Sequence, residues 1–289
     1  MEIRVNNEEI AIDQAEGDSV GDILTRADSL LEAAGAVIVG VSLDGLPLDP
    51  DGLQELGTRG AATVSRLDIA AEHSSDYRAR AIELLLDIVG KALPIPDEAA
   101  LRSLHESLAS LEESLGGLFP SDELAFIKGL VEASKVRDEG DSEIRFAESL
   151  AGFDAIFRER LAELRDPVGE FRRAASVYRG AAAELRELPV WLQTGKEGRA
   201  MQAVLVFVEL FNKIIRLMPE LGRKGVDAGS LRVGDLELPA FYAAFNGVLK
   251  ELVQAIEDRD SVLIGDLSEY EVAPRMEGLF AAIGEAIPA

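Results

Sequence analysis

The sequence predicts an α+β protein in which a small N-terminal domain with several strands precedes a predominantly α-helical bundle. Apolar residues alternate with polar ones only within residues 1–72, which is the pattern of half-buried strands. From Ser74 onward they recur at spacings of three and four, as on one face of a helix. A length of 289 residues suits about two domains. We therefore expect one domain over 1–72 and an all-helical domain over 73–289, with 139–142 and 190–196 as the candidate points of subdivision.

The first elements of the N-terminal domain are a hairpin and a helix. Apolar residues alternate over 3–12 on both sides of Asn6-Asn7-Glu8, which predicts two antiparallel strands joined by a tight turn. Asp18-Ser19 then supplies capping side chains for a helix that continues to about Ala34. Gly35 is predicted to end this helix, because glycine readily adopts the left-handed conformation found after helix C-termini.

Two further strands complete the domain. Residues 37–43 form an apolar run typical of a strand, a short turn lies over 53–57, and a last strand is predicted over 63–69. The order β-β-α-β-β, together with the turn Asp44-Gly45-Leu46-Pro47-Leu48, resembles the β-grasp, or ubiquitin-like, fold. The resemblance covers about a quarter of the chain and includes no catalytic motif. A short α+β domain of another topology is the alternative.

Proline and glycine separate the helices that follow. Helices are predicted over 75–92, 97–115 and 121–136, with Pro94 and Pro96 in the first gap. The second helix carries Leu101, Leu104, Leu108 and Leu111 along one face.

The most regular segment is 144–188, where apolar residues step by three or four along two stretches. Asp166-Pro167 lies between the stretches and suits the N-cap and first turn of a second helix. The sequence therefore predicts two helices end to end or one kinked rod, with charged residues such as Arg158 and Arg172 outside. Gly140-Asp141-Ser142-Glu143 is predicted to cap the start of this segment.

The last helices are expected to surround an apolar segment. Residues 196–218 are apolar almost all round, which predicts a central buried helix that Pro219 ends. A further helix is predicted over 239–258. Asp260-Ser261 then caps the last helix, which continues to about Ile283.

Composition excludes several kinds of site. The chain has no cysteine, so it cannot form disulfides, zinc–thiolate sites, thiol nucleophiles or cysteine-ligated clusters. The longest stretch without a charged residue, 238–249, is shorter than the about 20 residues of a membrane span. Met1-Glu2-Ile3-Arg4 lacks the basic start of a signal peptide, so we expect a cytoplasmic protein.

The charge is strongly acidic. Lys and Arg number 29 against 53 Asp and Glu, for a net charge of −24, which disfavours nucleic-acid binding because phosphates are repelled. Residues 1–72 alone hold 15 acidic residues and four arginines. This acidity either keeps the protein in solution or forms a face that meets a basic partner. Glu8, Glu9 and Asp13 are the candidate contacts of such a face.

The densest polar group within a helix is Asp266, Glu269, Tyr270 and Glu271. Spacings of three and four place the first three side chains on one helical face, where carboxylates could bind a divalent cation or act as acid and base. A di-iron bundle would require Glu-x-x-His repeats, and neither of the two histidines lies in one. The alternative is an acidic surface that pairs with arginine or with a partner.

Two other segments have simpler interpretations. Residues 193–199 contain a Gly-Lys pair before a helix, but they lack the first glycine and the following Ser or Thr of a phosphate-binding loop. Thr194 is a candidate N-cap for that helix. Trp191 is expected to anchor packed helices, with an interface contact as the alternative.

The C-terminal region from Phe245-Asn246-Gly247 through Leu249-Lys250-Glu251-Leu252 and 257–271 to Pro274 resembles the end of an uncharacterised family of acidic bacterial helical proteins. This resemblance covers about 35 residues and implies no known reaction. It therefore adds no catalytic or binding residue to those named above.

These patterns favour a non-enzymatic protein of the bacterial cytoplasm that binds another protein, as an adaptor, a regulator or an export or assembly chaperone. The expected partner is a protein with a basic face, with no nucleic acid, membrane or cofactor involved, and a homo-oligomer stays open. One alternative is a metal-binding protein or enzyme that uses Asp266, Glu269 and Glu271. Another is a homo-oligomeric structural protein built on the 144–188 rod.

Overall fold

The computed structural model describes residues 1–49, 52, 55–91, 98–114, 117–135 and 141–288. They form an α+β protein with a small N-terminal sheet and a mostly helical remainder, which confirms the predicted fold class. The chain divides into two compact units, Met1–Arg158 and Glu159–Ala289. The sheet occupies the first part of the first unit, and the domain boundary at residue 72 stays a prediction.

A five-stranded mixed sheet and one helix make up the N-terminal part. The strands are β1 (Glu2–Val5), β2 (Glu8–Glu9), β3 (Ala36–Leu43), β4 (Leu46–Pro47) and β5 (Arg66–His73), and the helix is α1 (Val20–Ala33). Their order across the sheet is β2-β1-β5-β3-β4. β1 and β5 are parallel, and the other neighbours are antiparallel. Short 3₁₀ turns at Glu55–Gly57 and Ala61–Thr63 lead into β5.

Local sequence accounts for the turns of this part. Asn6 and Asn7 both have positive φ, 50° and 71°, as the tight turn between β1 and β2 requires. Asp44-Gly45 repeats this geometry between β3 and β4. Ser19 caps α1, since its hydroxyl oxygen accepts from the Asp22 N–H at 3.1 Å while the Asp22 carboxylate accepts from the Ser19 N–H at 2.9 Å.

The interior of the sheet region is built from its own residues. The buried apolar side chains of this cluster all come from residues 3–69, with Ile3 and Leu67 on the sheet and Ile23 and Ala27 on α1 among them. These side chains are at most 2% exposed. A small domain that folds on its own needs a core built from its own residues, and this cluster meets that condition.

Further helices follow in the first unit, namely α2 (Ser74–Lys91), α3 (Glu98–Ser114), α4 (Ser121–Lys135) and α5 (Asp141–Arg165), the last of which continues past residue 158. On α2 the buried face runs through Ile82, Leu86 and Val89, whereas Leu84 is 47% exposed. The predicted break at Pro94 and Pro96 lies outside the described residues, as does Gly140 of the predicted cap.

The second unit contains the end of α5, then α6 (Pro167–Gln193), α7 (Glu197–Arg223), the hairpin β6 (Arg232–Val233) and β7 (Leu236–Glu237), α8 (Leu238–Glu257), α9 (Ser261–Asp266), a π-helical turn (Leu267–Val272) and α10 (Ala273–Ala286). Asp166 alone separates α5 from α6, and its carboxylate accepts from the Gly169 N–H at 2.9 Å. The segment 144–188 is therefore two helices.

Three sequence predictions for this unit need correction. α7 is central, with Phe207 and Phe211 each 3% exposed, but Leu205 is 52% exposed, so this helix has a solvent face. Pro219 lies inside α7 rather than ending it, because the buried Leu217 and Leu221 hold the last turn despite the missing N–H. Thr194 ends α6 instead of starting α7, and its hydroxyl donates to the Val190 carbonyl at 2.7 Å.

Aromatic side chains fill the interior of the second unit. Phe211 of α7 meets Phe245 of α8 edge to face, with 4.8 Å between ring centroids. Tyr178 of α6 stacks on Phe280 of α10 at 4.9 Å, and its hydroxyl donates to the Ala273 carbonyl at 2.9 Å. Among the described helices, none has the length and apolar character needed to cross a bilayer.

Candidate functional site

The charges on one face of the N-terminal sheet compensate each other. Arg4 pairs with Glu2 along β1 at 2.6 Å, and Arg66 pairs with Asp68 along β5 at 2.8 Å. In the strand register Glu2 lies beside Arg66 and Arg4 beside Asp68, so all four side chains share one face. Two of the four arginines of residues 1–72 are therefore used to neutralise this face.

The uncompensated acids of this part lie elsewhere. Glu8 and Glu9 form the edge strand β2, Asp13 follows in the next loop, and all three are exposed. None of the three forms an ion pair with a described residue. Arg26, a third arginine, is bound to Asp18, and this hydrogen bond lowers the pKa of the Asp18 carboxyl to about 2. Two of the predicted contact residues thus lie on the edge strand and the third in the loop that follows it, and none has an ion-pair partner among the described residues.

A groove with an apolar floor runs between α4 and α5 in the first unit. Its volume is about 920 Å³. The residues that line it are Asp122, Ala125, Phe126, Gly129, Leu130, Glu148, Ser149, Gly152 and Phe153. Leu130 and Phe153 form the buried part of the floor, whereas Phe126 is 52% exposed. We call this feature the α4–α5 groove.

Two glycines keep the α4–α5 groove open. A Cβ atom added at Gly129 of α4 or at Gly152 of α5 would have no described atom within 4 Å. Asp122 and Glu148 are exposed at the groove, and neither forms an ion pair with a described residue. An apolar floor beside unpaired carboxylates suits a segment that presents apolar and basic side chains on one face.

The walls of the groove are held by buried contacts. On α4, Glu123 is only 2% exposed and binds Arg78 of α2 through both carboxylate oxygens at 2.5 Å. On α5, Phe153 stacks on Phe157 with 4.2 Å between ring centroids. These contacts preorganise the surface, which reduces the entropy lost when a partner binds.

A buried ion network in the second unit joins α5, α6 and α7. The Lys213 ammonium lies 2.7 Å from Glu159 and 2.7 Å from Glu170. Burial, the largest single effect on Glu170, raises its pKa, but hydrogen bonds from Lys213 and then Arg173 outweigh burial and lower the pKa overall. Two helices end to end therefore share one lysine from α7, through Glu159, whose side chain is 43% exposed, and through the buried Glu170.

Arginines complete this network. Glu163, 4% exposed, accepts from Arg216 at 3.0 Å and from Arg160 at 3.3 Å. Its buried carboxylate thus has cationic partners from two helices. Glu159, Glu170 and Lys213 of the same network also line a pocket of about 430 Å³.

The C-terminal acidic cluster, Asp266, Glu269, Tyr270 and Glu271, lies at the π-helical turn. Asp266, Glu269 and Tyr270 are exposed, with Tyr270 66% exposed. Glu271 pairs with Arg275 at 2.5 Å. The described residues contain no group of three or more His, Asp or Glu side chains arranged to hold a metal ion.

Trp191 lies inside the second unit. It is 5% exposed, and the Arg199 guanidinium stacks over its ring at 4.2 Å. Direct contact between this ring and a partner would require the Arg199 side chain to move, and packing explains the residue without a partner.

Sequence reasoning missed the α4–α5 groove and the ion network. Phe126 and Gly129 on one helix and Gly152 on the other are individually ordinary residues, and only their placement across two helices makes a groove. Glu163 and Glu170 are buried, at 4% and 6% exposed, but the lysine near both lies on another helix, so no local pattern marked them.

Two family models match parts of the chain. Residues 1–72 match the TP0873 N-terminal domain, and residues 172–281 match a domain of unknown function (DUF8042). An uncharacterised protein of Treponema pallidum (strain Nichols) is 28% identical over 108 residues, which are 37% of this chain and 54% of that protein. The match thus spans about half the length of this curated relative.

No solved structure matches the chain. The chain is therefore similar, over residues 1–72 and over 172–281, to two families for which no function is assigned, and no activity comes with either similarity.

Proposed function

We propose that this chain is a non-enzymatic interaction protein, an adaptor, regulator or assembly chaperone, which holds a basic amphipathic helix of a protein partner in the α4–α5 groove. The observation that carries the proposal is the exposure of Phe126 at an open, glycine-lined groove beside the unpaired Asp122 and Glu148. Covering the exposed half of a phenylalanine removes about 100 Å² from water, worth about 2.5 kcal/mol. An aromatic side chain that becomes covered in this way is a typical anchor where a helix binds in a groove.

The acidic edge of the N-terminal part supports the same kind of partner. Glu8, Glu9 and Asp13 lack ion pairs among the described residues, so their field extends into solvent and attracts a basic surface. Unpaired charge of this kind mainly raises the association rate, whereas the apolar contact sets the affinity.

We infer in addition that residues 1–72 have the β-grasp fold. The strand order β2-β1-β5-β3-β4, the parallel pair β1 and β5 at the centre, and the position of α1 between β2 and β3 in sequence support this inference. The fold itself assigns no function, because one fold hosts many.

Site-specific photocrosslinking in lysate of the source cells tests the proposed groove. A photoreactive phenylalanine derivative replaces Phe126, and in a matched control it replaces Leu84, which is 47% exposed on α2. Mass spectrometry then identifies the crosslinked peptide. We expect an adduct at position 126 and none at position 84, with a peptide that carries Lys or Arg beside apolar residues at helical spacing.

Three outcomes would contradict the proposal. They are the absence of an adduct at position 126, equal adducts at both positions, and an adduct peptide that belongs to this chain. The last outcome would favour the homo-oligomeric alternative.

A further inference from the structure

A cavity of about 430 Å³ lies in the second unit, between the end of α6, the start of α7 and the corner that joins α8 to α9. Leu188, Ala200, Val204 and Ile264 form its apolar wall, and each is at most 7% exposed. This volume falls in the range of about 300–1,000 Å³ that small-molecule sites occupy. The cavity does not involve the α4–α5 groove.

Arg259 lines this cavity in an unusual backbone conformation. Its φ is 55°, in the left-handed region, where it follows the last turn of α8. The Arg259 N–H donates to the Ile256 carbonyl at 3.1 Å, and the Asp260 N–H donates to the Ala255 carbonyl at 2.9 Å. Glycine is the usual residue at this point of such a C-terminal turn, because a Cβ atom is disfavoured there. The turn alone therefore does not explain an arginine.

Two charged side chains at the cavity have no ion-pair partner in the described part of the chain. Arg259 and Glu197 both line it, and neither side chain forms an ion pair or hydrogen bond with the other or with any described residue. By contrast, Arg275 on α10 of the same unit binds a glutamate one helical turn away. One cation and one anion that face the same apolar cavity without pairing are complementary to a ligand that carries both charges.

We infer that this cavity binds a zwitterion with an apolar side chain, namely a free apolar amino acid or a short apolar peptide with free termini. The ligand carboxylate pairs with Arg259, its ammonium pairs with Glu197, and its side chain lies against Leu188, Val204 and Ile264. Gln193 and Ser261, which also line the cavity, supply neutral hydrogen-bonding groups beside the two charges.

Calorimetric titration of the full chain tests this inference. The probes are L-leucine and L-leucyl-L-leucine, which separate the amino-acid source from the peptide source. L-leucinamide, which lacks the carboxylate, and N-acetyl-L-leucine, which lacks the ammonium, are the matched analogues. We expect at least one of the first two probes to bind and its analogues to bind at least tenfold more weakly.

Variants separate binding from folding. Arg259→Gly should abolish binding while the melting temperature stays unchanged or rises by about 2–4 °C, since the left-handed turn is relieved. Glu197→Gln should weaken binding at least tenfold, and Arg232→Ala, at an exposed arginine of the β6–β7 hairpin, should not change it. The inference is wrong if neither probe binds at millimolar concentration, if the analogues bind equally well, or if Arg259→Gly binds as the wild type does.

Discussion

Lys213 is the cation that Glu159 and Glu170 share in the second unit. Its side chain is 13% exposed and contacts Glu159 and Glu170. Burial, the largest effect, lowers the pKa of this lysine, but the hydrogen bonds that its ammonium donates to the two glutamates outweigh burial and raise the pKa overall. The ammonium is therefore charged in the folded protein.

We expect Lys213→Met to lower the free energy of unfolding by about 3 kcal/mol, because it leaves the buried Glu170 carboxylate without its lysine while Arg173 remains. The matched control is Lys91→Met, which removes an exposed pair with Asp87 and should cost about 0.5 kcal/mol or less. Urea denaturation measures both variants. Equal shifts in the two midpoints would show that the network contributes no more than a surface pair.

The C-terminal acidic cluster is expected to bind no cation, because its exposed carboxylates lie at a helix surface without converging partners. Asp266→Asn combined with Glu269→Gln should be neutral or stabilise the protein by a few tenths of a kcal/mol, through relief of repulsion. Millimolar Mg²⁺, Ca²⁺ or Mn²⁺ should leave the wild-type melting temperature unchanged. A wild-type shift of several degrees that the double variant lacks would instead support the metal-binding or enzymatic alternative.

At the scale of elements, α7 shows how burial divides one helix into two faces. Phe207 is 3% exposed and meets Tyr178 edge to face at 6.0 Å, whereas Leu205 is 52% exposed. Phe207→Ala should therefore lower the free energy of unfolding by about 3–5 kcal/mol, and Leu205→Ala should lower it by less than about 1 kcal/mol. Chemical denaturation of the two variants measures this contrast. Similar losses of unfolding free energy in the two variants would contradict the assignment of a buried face and a solvent face to α7.

Elements set by neighbouring residues could be predicted from the sequence. The Asn6-Asn7 turn, the Ser19 cap and the Asp166 N-cap each depend on residues within a few positions, so their patterns are visible along the chain. The prediction that Pro219 ends α7 was wrong, because the burial of Leu217 and Leu221 outweighs the local tendency of proline to break a helix.

Features made by separate helices could not be predicted in this way. Lys213 lies 43 positions from Glu170 and 54 from Glu159, and no local pattern links a lysine to glutamates so far away. The same holds for Gly129 and Gly152, which face one groove from two helices. Glu8, Glu9 and Asp13 were chosen from the acidity of residues 1–72, and their role as partner contacts stays a prediction.

At the scale of the whole molecule, we expect residues 1–72 to fold on their own. Their buried apolar cluster draws only on residues 3–69, although about 70 residues give a marginal stability. An amide NMR spectrum of the isolated fragment should show dispersed resonances. A random-coil spectrum would mean that the boundary near residue 72 is misplaced and that the helices of the first unit are needed for this sheet.

The central claim, that the α4–α5 groove holds a partner, is tested most directly by filling the groove. Gly152→Leu adds a side chain where a Cβ has open space and raises the helix propensity of α5, so the fold should be kept. Gly180→Leu is the matched control, since Gly180 is an exposed helical glycine of α6 with equally open surroundings.

The measurement is the dissociation constant of the partner captured by crosslinking at position 126, determined by calorimetry for wild type and both variants. The groove account predicts at least a tenfold loss of affinity for Gly152→Leu with an unchanged or higher melting temperature, and no change for Gly180→Leu. Wild-type affinity in a folded Gly152→Leu protein would contradict it.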